Sequence, residues 1–577
     1  MSTVSVPHQS QPPPPDASPP VPPHASEATR LLCAGAYLDT EYRNRVIDEL
    51  YVNEQRLCAP SPGFDAARVL AHALRARRLE LAWDGAILGL WVVGAVLTGY
   101  WLLLFLVPGV LLAVATLLRG RSDNPPLYRR VPAWFLRWYS RIGLAWCFLL
   151  TLFVAFFGGG PFSSGRSGYY DEYGTSGASP ADLLTPFEVQ AIVLRLQAWF
   201  SLAVLALIAL CLAARRSQVS RALLAELSPQ RFPDAASDPA LRAEGGRFQR
   251  LAGRVLAEQH QQLVMYHEAR PFCGAGTAHD TWVLAVELRP DRMKKQRPLS
   301  NRAVLETVRP LLEQLRESAT TAAFPVRDRL RRLEIGEYVF LPVEGMLRRE
   351  DAPYDPQAFE SHRMRAAEEG AEKRRHFLCA RVDGWEGELI VSVFVRVHTQ
   401  GRMLMLEVAP HVLNPVRQEF KDADRTAHRY NRNTLLGKAA YAVPRVPVSP
   451  GIALFGLGRM IRFGWRLLTS GNAGALPEGP ALSVRELGSA PEGSLFQQMD
   501  VDRYLRTIQD RIAHGVRAAL ADAGYQTDEF VQKVVNISNG GVNIDSVESS
   551  TFAVGSHASA SSGTEPQKGT GSDDRPA

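Results

Sequence analysis

The chain has 577 residues, of which 46% are hydrophobic and 21% charged, and its formal net charge is +6. This length leaves room for several domains. Most of the excess charge is arginine beside apolar stretches, so we predict no nucleic-acid partner. The six cysteines lack CxxC-type spacing, which argues against a zinc or disulfide framework and favours separate reduced thiols.

The N-terminal part of the sequence has two sections. Residues 1–28 contain the Pro-rich string QPPPPDASPPVPPH, which cannot build a core, and we expect them to be disordered. They lack the basic start and apolar run of a signal peptide, so insertion would depend on the first apolar segment. Residues 29–80 are typical of amphipathic helices and predict a small N-terminal cytoplasmic segment.

Four apolar stretches lie between residues 81 and 214. The first block, 81–118, is about twice the ~20 residues that one spanning helix needs. It therefore predicts two short spans, 81–98 and 101–118, with a turn at Gly99-Tyr100. A re-entrant hairpin is the alternative, and it leaves the topology unchanged. The other two predicted spans are 142–157 and 196–214.

The distribution of arginine predicts the orientation of these spans. Arginines cluster before the first span, between the second and third, and after the fourth, whereas the loop between the third and fourth is acidic. Four spans place every Arg-rich flank in the cytoplasm, as the positive-inside rule requires. We therefore predict a multi-pass protein of the cell membrane with both termini cytoplasmic. Apart from thiols, Asp84 is the only ionisable side chain in the spans, so an ion relay is not indicated.

The part of the chain from 245 to 435 alternates between strand-like and helix-like patterns. Strands are predicted at 281–288 and 338–343, and a hairpin pairs 388–398 with 402–408 across a short Gly-containing turn. Helices are predicted at 301–318 and 359–373. The segment is long enough to bury its own core, so we predict a cytoplasmic α+β domain over 245–435.

We find no strong catalytic or ligand-binding motif in this domain. Gly274-Ala275-Gly276 lacks the third glycine of a dinucleotide fingerprint and the lysine of a Walker loop. His267, Cys273 and His279 do not have the spacing of a common zinc site. We therefore predict no catalytic residue, no metal site and no cofactor. An enzymatic site would depend on His279, Asp280 and Glu344, which are weak candidates.

Three strings in this region resemble those of a group of uncharacterised actinobacterial multi-span membrane proteins. They are YHEARPFCGAGTAHDTWVLAVEL, LPVEGML and GELIVSVFVRVHTQGRMLMLEV. The resemblance covers roughly residues 190–420 and implies a membrane location and a shared domain. It implies no catalytic residues.

A second contact with the lipid bilayer is predicted at 450–470. Arg459, Arg462 and Arg466 recur at i, i+3 and i+7, on one face of a helix that also carries Trp465. A basic amphipathic helix in the headgroup region, with its arginines toward anionic lipid, fits this pattern. The alternatives are a helix docked on the body or on the membrane bundle, and a fifth span.

The C-terminal part combines a helix with a β-prone tail. Residues 500–523 have apolar positions at helical spacing, and this face needs a partner, either the body or another copy. Residues 535–560 alternate like short strands around an Asn-Gly-Gly turn, and 561–577 are expected to be disordered. The residues predicted to drive assembly are Asn539, Gly540, Gly541, Val542, Ile544, Phe552, Val554 and Gly555. An edge hairpin or a disordered end is the alternative.

This tail resembles bacterial amyloid-signalling motifs through its NGG turn and the string AVGSHA at 553–558. The resemblance implies self-assembly or a partner with a matching motif. The predicted fold class is thus multi-domain: an α-helical four-span membrane bundle, a cytoplasmic α+β domain and a short β-prone tail. The leading hypothesis is an interaction-driven signalling or defence effector or scaffold. The alternatives are a membrane-anchored enzyme with its site in 245–435, and an oligomeric pore.

Overall fold

The structure is a computed structural model, and it describes residues 21–119, 126–157, 186–242, 245–316, 330, 332–368, 372–469 and 474–538. Within them the α-helices are α1 (Glu27–Leu38), α2 (Thr40–Ile47), α3 (Ala66–Leu97), α4 (Leu106–Arg119), α5 (Leu127–Phe157), α6 (Pro186–Arg221), α7 (Pro239–Arg242), α8 (Gly246–Glu258), α9 (Asn301–Glu313), α10 (Pro356–Glu368), α11 (Gln418–Lys421), α12 (Ala423–Asn431), α13 (Leu435–Ala442), α14 (Ser449–Thr469), α15 (Val484–Leu487), α16 (Leu495–Asp522) and α17 (Asp528–Ser538). The β-strands are β1 (Leu263–Tyr266), β2 (Thr277–Ala278), β3 (Trp282–Glu287), β4 (Leu333–Pro342), β5 (Arg375–Gly384), β6 (Leu389–Gln400) and β7 (Met403–Leu413).

The chain divides into two compact units. The helical unit comprises Met1–Gln261, Val343–Ala352 and Pro415–Pro491. The α+β unit comprises Gln262–Pro342, Pro353–Asn414 and Glu492–Ala577. These boundaries differ from the predicted domain at 245–435, because the chain leaves the α+β unit after β7 and returns to it at α16.

Three helices of the helical unit, Ala66–Leu97, Leu127–Phe157 and Gln190–Glu226, are long and apolar enough to cross a membrane. A shorter apolar helix, Trp101–Thr116, lies where the second span was predicted. The long helices start before the predicted spans, and in α3 and α5 arginine-bearing turns continue the helix beyond the apolar stretch.

The predicted turn at Gly99-Tyr100 is present. The helix α3 ends at Leu97, and a 3₁₀ turn at Trp101–Phe105 leads into α4. Both turn residues have left-handed backbones, with φ of 58° at Gly99 and 66° at Tyr100. Such a conformation reverses the chain within a few residues and suits glycine because it has no Cβ.

The apolar helices bury a small core and expose much apolar surface. Ile87, Trp91, Leu102, Phe105 and Ile208, which come from α3, the 3₁₀ turn and α6, are buried together. Large apolar side chains on the outer faces of these helices and of α4 and α5 are exposed, as expected for helices that lipid surrounds. Examples are Val96, Val107, Trp146, Phe157, Phe200 and Leu210.

A second core of the helical unit surrounds the first turns of α3. It includes Leu32 of α1, Leu70 of α3 and Phe420 of α11. Burial of Arg68 in this layer is compensated, because its Nε donates to Asp238 Oδ2 at 2.9 Å. His72 Nε2 lies 3.0 Å from the same oxygen. Burial alone would raise the pKa of Asp238, but His72, the Ala240 amide and Arg68 together hold that pKa well below its usual range.

The α+β unit is built on a mixed sheet with the strand order β1-β4-β5-β6-β7-β2, and β3 also pairs with β7. The β1–β4 pair is parallel, and the other pairs are antiparallel. The predicted hairpin is confirmed as β6 and β7, with Ile390 opposite Leu413 and Gln400 opposite Met403. The strand β5 was not predicted, because its short apolar run FLCA lies next to a charged segment.

Each face of this sheet is covered by different residues. One face buries Val391, Val393 and Val395 against α9 and α16. On the other face Phe340, Phe377 and Phe394 form an aromatic cluster that Phe272 covers from the loop after β1. Alternation along the strands therefore supplies a separate core on each side.

The apolar face predicted at 500–523 is covered by the α+β unit itself. Leu505, Ile508, Ile512 and Val516 of α16 are buried in the same core as the sheet valines. The face needs no second copy as its partner. The helix predicted at 301–318 is present as α9, and it continues through Pro310.

The β-prone prediction is wrong for the beginning of the tail. Residues 535–538 belong to α17, which runs from Asp528 to Ser538. The acidic first turn and the helical spacing of Phe530, Val531 and Val534 extend a helix into the segment that was predicted to alternate. All of the tail residues predicted to drive assembly, 539–555, lie outside the described residues, as do 1–20 and 561–577.

Candidate functional site

The carboxylate of Asp84 lies at the centre of a charged cluster. Asp84 is 1% exposed, and its Oδ1 accepts a hydrogen bond of 2.7 Å from Arg215. Asp84 is near the start of the apolar part of α3 and Arg215 near the end of that of α6. The two helices run in opposite directions, so these residues meet at the same end of the helices.

Glu80, one helical turn before Asp84, gathers three arginines from three other helices. It is paired with Arg43 of α2, with Arg215 of α6 at 3.3 Å and with Arg459 of α14 at 3.5 Å. Burial lowers the pKa of the Arg43 guanidinium, and Glu80 opposes that effect. The cluster therefore links α2, α3, α6 and α14 electrostatically at the Arg-rich end of the apolar helices.

A cavity of about 300 Å³ opens beside this cluster. Glu80, Asp84 and several arginines line it, and Ile87, Leu212 and Ile452 contribute apolar side chains to the lining. Trp83 also lines it and donates from Nε1 to Gln218 Oε1 at 2.7 Å. The arrangement combines cationic groups with an apolar surface in one concave site, as ligand-binding pockets commonly do.

The structure docks the predicted interfacial helix on the apolar helices. Along α14, Ser449 Oγ accepts from Trp91 Nε1 at 3.0 Å, and Gly456 lies against the Asp84 carboxylate. Phe463 stacks on Tyr51 with ring centroids 6.4 Å apart. This corresponds to the alternative of a docked helix, which the glycines permit because they allow close approach of helix backbones.

The four residues predicted at the membrane surface have two different kinds of surroundings. Arg459 and Arg466 pair with Glu80 and Asp48 inside the helical unit. Arg462 is exposed, and Trp465 is 68% exposed beside Ile461 and Leu468. Two of the arginines thus serve docking, and the apolar residues around Trp465 form the outward face.

The three weak enzymatic candidates belong to different units. His279 Nε2 is 3.9 Å from Asp280 Oδ2 and 4.0 Å from Asp502 Oδ1, and both carboxylates are largely exposed. Glu344 belongs to the helical unit, whereas His279 belongs to the α+β unit. In the part of the chain that the structure describes, no group of three or more His, Cys, Asp or Glu side chains could hold a metal ion.

Glu337, a carboxylate of the α+β unit with a strongly lowered pKa, lies in a cluster of ion pairs that joins elements of the fold. Glu337 of β4 pairs with Arg309, with Arg363 at 2.8 Å and with His376 at 3.1 Å. The hydrogen bond from His376, together with Arg363, lowers the pKa of Glu337 to about 2 although burial opposes this. These contacts join α9, α10 and β5 to β4, so the cluster stabilises the unit.

Sequence reasoning missed most residues of the cavity. Asp84 was noted as the lone carboxylate of the spans, and Arg215 and Arg216 were noted only as flanking charge. One sequence signal could have identified the pair: Asp84 and Arg215 both lie near the Arg-rich ends of two predicted spans that run in opposite directions. The contributions of α2 and of Arg445 follow from tertiary packing, and no local pattern marks them.

Comparison with known proteins adds one likeness. Residues 281–550 match the family model of the AbeC-like domain. No curated protein and no solved structure matches the chain. The matched range starts just before β3, excludes the apolar helices α3 to α6 and includes α14 and α16. The family name states no biochemical activity, and the finer resemblances to actinobacterial proteins and to amyloid-signalling tails stay predictions. Over this range the chain is similar to AbeC-like domains.

Proposed function

We propose that this chain is a multi-pass protein of the cell membrane that acts as a signalling or defence effector or scaffold. It would work by binding, recruiting other copies or a partner through its C-terminal tail. The observation that carries the proposal is the combination, in one chain, of long apolar helices with an α+β unit whose last described helix, α17, is anchored in it. The 39 residues that follow Ser538 would extend from this anchor.

The proposed topology has four spans with both termini in the cytoplasm. Three helices meet the length and composition of a span. The fourth would be the 3₁₀ turn and α4 together, Trp101–Arg119. At the usual rise per residue these 19 residues extend over about 30 Å, the thickness of a bilayer core.

The helix α14 supports a membrane location from another part of the chain. Its inner face packs on α3 and α4. Its outer face presents exposed apolar side chains that would be costly in water as one patch. They are Leu454, Phe455, Ile461, Trp465 and Leu468.

The position of α17 supports recruitment through the tail. Lys533 of α17 donates to the Ala285 carbonyl of β3 at 3.1 Å and pairs with Glu529 at 3.1 Å. Phe530 is 1% exposed in the core under the sheet. An anchored helix would hold the start of the tail at the α+β unit and leave the apolar positions beyond it free to pair.

The test compares self-association of the full chain with that of a chain ending at Ser538. Both would be expressed in bacterial membranes with donor and acceptor fluorophores at their N-termini, and energy transfer would be measured. We expect transfer for the full chain and its loss on truncation.

A matched pair of variants locates the effect within the tail. Ile544→Asp with Val554→Asp places charge in the predicted strands, whereas Thr564→Asp with Gln567→Asp adds the same charge beyond them. Only the first pair should abolish transfer. Equal transfer from the truncated and full chains, and equal capture of partner proteins by both, would show that the tail has no such role.

A further inference from the structure

The cavity at the Arg-rich end of the apolar helices carries an excess of positive charge. Its charged lining consists of Arg43, Arg215, Arg216 and Arg445 with the two carboxylates of Glu80 and Asp84. The lining therefore has a surplus of two positive charges. A volume of about 300 Å³ is at the lower end of small-molecule sites and suits a compact anionic group.

Two guanidinium groups of this lining have hydrogen-bond donors without acceptors. Arg43 is only 4% exposed, and its Nε is buried without a hydrogen-bond partner among the described residues. The Nε of Arg216 is likewise buried without one. A buried donor that lacks an acceptor is unfavourable, so oxygen atoms of a ligand would satisfy groups that the described protein leaves unsatisfied.

Aromatic rings, rather than carboxylates, hold two of the arginines. The Arg445 guanidinium lies 3.7 Å from the ring centroid of Tyr441. That of Arg216 lies 5.8 Å from the Tyr430 ring and 5.9 Å from the Tyr441 ring. Among the described residues neither arginine has an ion-pair partner, so stacking orients their charge and leaves it available for an anion.

The same cavity also has apolar lining residues. Ile87 belongs to the apolar stretch of α3 and Leu212 to that of α6, and Ile452 of α14 lies with them on the lining. A lining that combines cationic groups with apolar side chains suits an amphiphile that has a charged head. Guanidinium groups favour phosphate because their planar N–H donors match its oxygens.

We propose that this cavity binds a phosphate group, with Arg216 and Arg445 as its main contacts and Arg43 as a buried donor. The source that the apolar lining residues favour is an anionic phospholipid of the cytoplasmic leaflet. A free organic phosphate shares the same head chemistry. The proposal does not depend on the recruitment role of the tail.

The test uses the full chain purified in detergent. Native mass spectrometry would measure retention of phosphatidylglycerol against an equal amount of phosphatidylcholine. Calorimetric titration with glycerol 3-phosphate would measure binding of the free head group. Both would be repeated for the double variant Arg216→Gln with Arg445→Gln, and for the control Arg137→Gln with Arg141→Gln, which removes two arginines of α5 outside the cavity.

We expect the double variant to weaken binding by about tenfold or more, the usual consequence of losing charged hydrogen bonds, while the control retains it. Selective retention of phosphatidylglycerol identifies a lipid as the source. Binding of glycerol 3-phosphate without lipid selectivity, with the same dependence on Arg216 and Arg445, identifies a free phosphate.

A second variant tests the cavity itself. Val219→Trp would narrow the cavity while keeping every arginine, and it should abolish binding; a cooperative thermal unfolding transition of this variant would show that the chain still folds. The proposal is overturned if wild type shows neither lipid selectivity nor binding of glycerol 3-phosphate. It is also overturned if the variants bind as wild type does, since attraction would then come from general surface charge.

Discussion

At the scale of single residues, Asp84 is the most informative side chain of the helical unit. One of its oxygens is paired with Arg215, and the other is buried against Gly456 without a hydrogen-bond partner among the described residues. A carboxylate in this position requires the surrounding arginines, because an uncompensated buried charge is strongly unfavourable. Asp84 therefore couples the docking of α14 to the charged cluster.

Gly456→Ala tests this coupling. A methyl group at Gly456 would overlap the Asp84 carboxylate, so either the ion pair with Arg215 or the docking of α14 must shift. We expect an overpacking cost of about 1–3 kcal/mol, reduced by the better helix propensity of alanine. Thermal unfolding of the detergent-solubilised chain would measure it.

Gly458→Ala is the matched control, because a Cβ there meets no atom within 4 Å. It should leave the unfolding midpoint unchanged or raise it, since alanine favours the helix by up to ~1 kcal/mol over glycine. Equal midpoints for the two variants would contradict close contact between α14 and Asp84.

His411 in the aromatic cluster of the sheet predicts a pH dependence of stability. Its ring lies 4.5 Å from that of Phe272, and burial lowers its pKa below 6.5. As the pH falls below 6.5, His411 takes up a proton more readily in the unfolded chain than in the folded chain. The free energy of unfolding therefore decreases on acidification. His411→Phe should retain the ring packing and reduce the fall in unfolding midpoint between about pH 7.5 and pH 5.

The exposed histidine of α16, His514, provides the control for this measurement. His514→Phe should leave the slope of midpoint against pH as in wild type. A slope that His411→Phe does not change would show that other groups cause the acid sensitivity.

At the scale of elements, the sequence pattern of the long helix α16 predicts the helix itself, whereas tertiary packing decides which elements cover its apolar face. Its apolar spacing predicted a helix with a buried face, and the structure confirms both. The partner was undecided, because a stripe of Val, Leu and Ile packs equally well on a body or on another copy. Only the fold brings α9 and β6 against it, and Gly515 lies directly against Val308 of α9.

Gly515→Ala should separate α16 from α9. A Cβ at Gly515 would lie 2.8 Å from Val308 Cγ2 and 2.9 Å from Val308 Cα, and backbone atoms cannot move as a side chain can. We expect destabilisation by about 1–3 kcal/mol, measured as a lower midpoint of thermal unfolding. Gly253→Ala in α8, where a Cβ meets nothing within 4 Å, should not lower it. Unchanged stability of the Gly515 variant would place α16 farther from α9.

At the scale of the whole molecule, the proposed topology depends on the number of helices that cross the membrane. Three helices are long and apolar enough to cross, and the proposed fourth span is the shorter helix after the Gly99-Tyr100 turn. Whether this shorter helix crosses decides the side of the Arg-rich segment between α4 and α5. The orientation of every later helix depends on the same count.

Cysteine labelling from outside intact cells would decide it. Ser176→Cys lies between α5 and α6, and Ser122→Cys lies between α4 and α5. With four spans, a membrane-impermeant maleimide should label Ser176→Cys and should label Ser122→Cys only after the cells are permeabilised. The parent chain, with its six native cysteines, gives the background. Labelling of Ser122→Cys in intact cells would show that α4 does not cross.

The sequence by itself determined the features that depend on local composition. Apolar runs of sufficient length predict membrane-compatible helices, a Gly-containing turn between alternating residues predicts the β6–β7 hairpin, and helical spacing predicts α16. Each of these follows from burial of side chains on a repeating backbone, so it can be recognised without knowing the neighbours.

Only the tertiary structure decided which elements meet. The cavity takes Arg43 from α2, Glu80 from α3 and Arg445 from the turn after α13, positions far apart in the chain. The tertiary structure also places α14 on α3. It packs α16 on the sheet although a helical segment of the other unit separates the two in the sequence. Pairing between distant charged groups and the choice of partner for an apolar face depend on the three-dimensional path of the chain, and neither leaves a periodic pattern in the sequence.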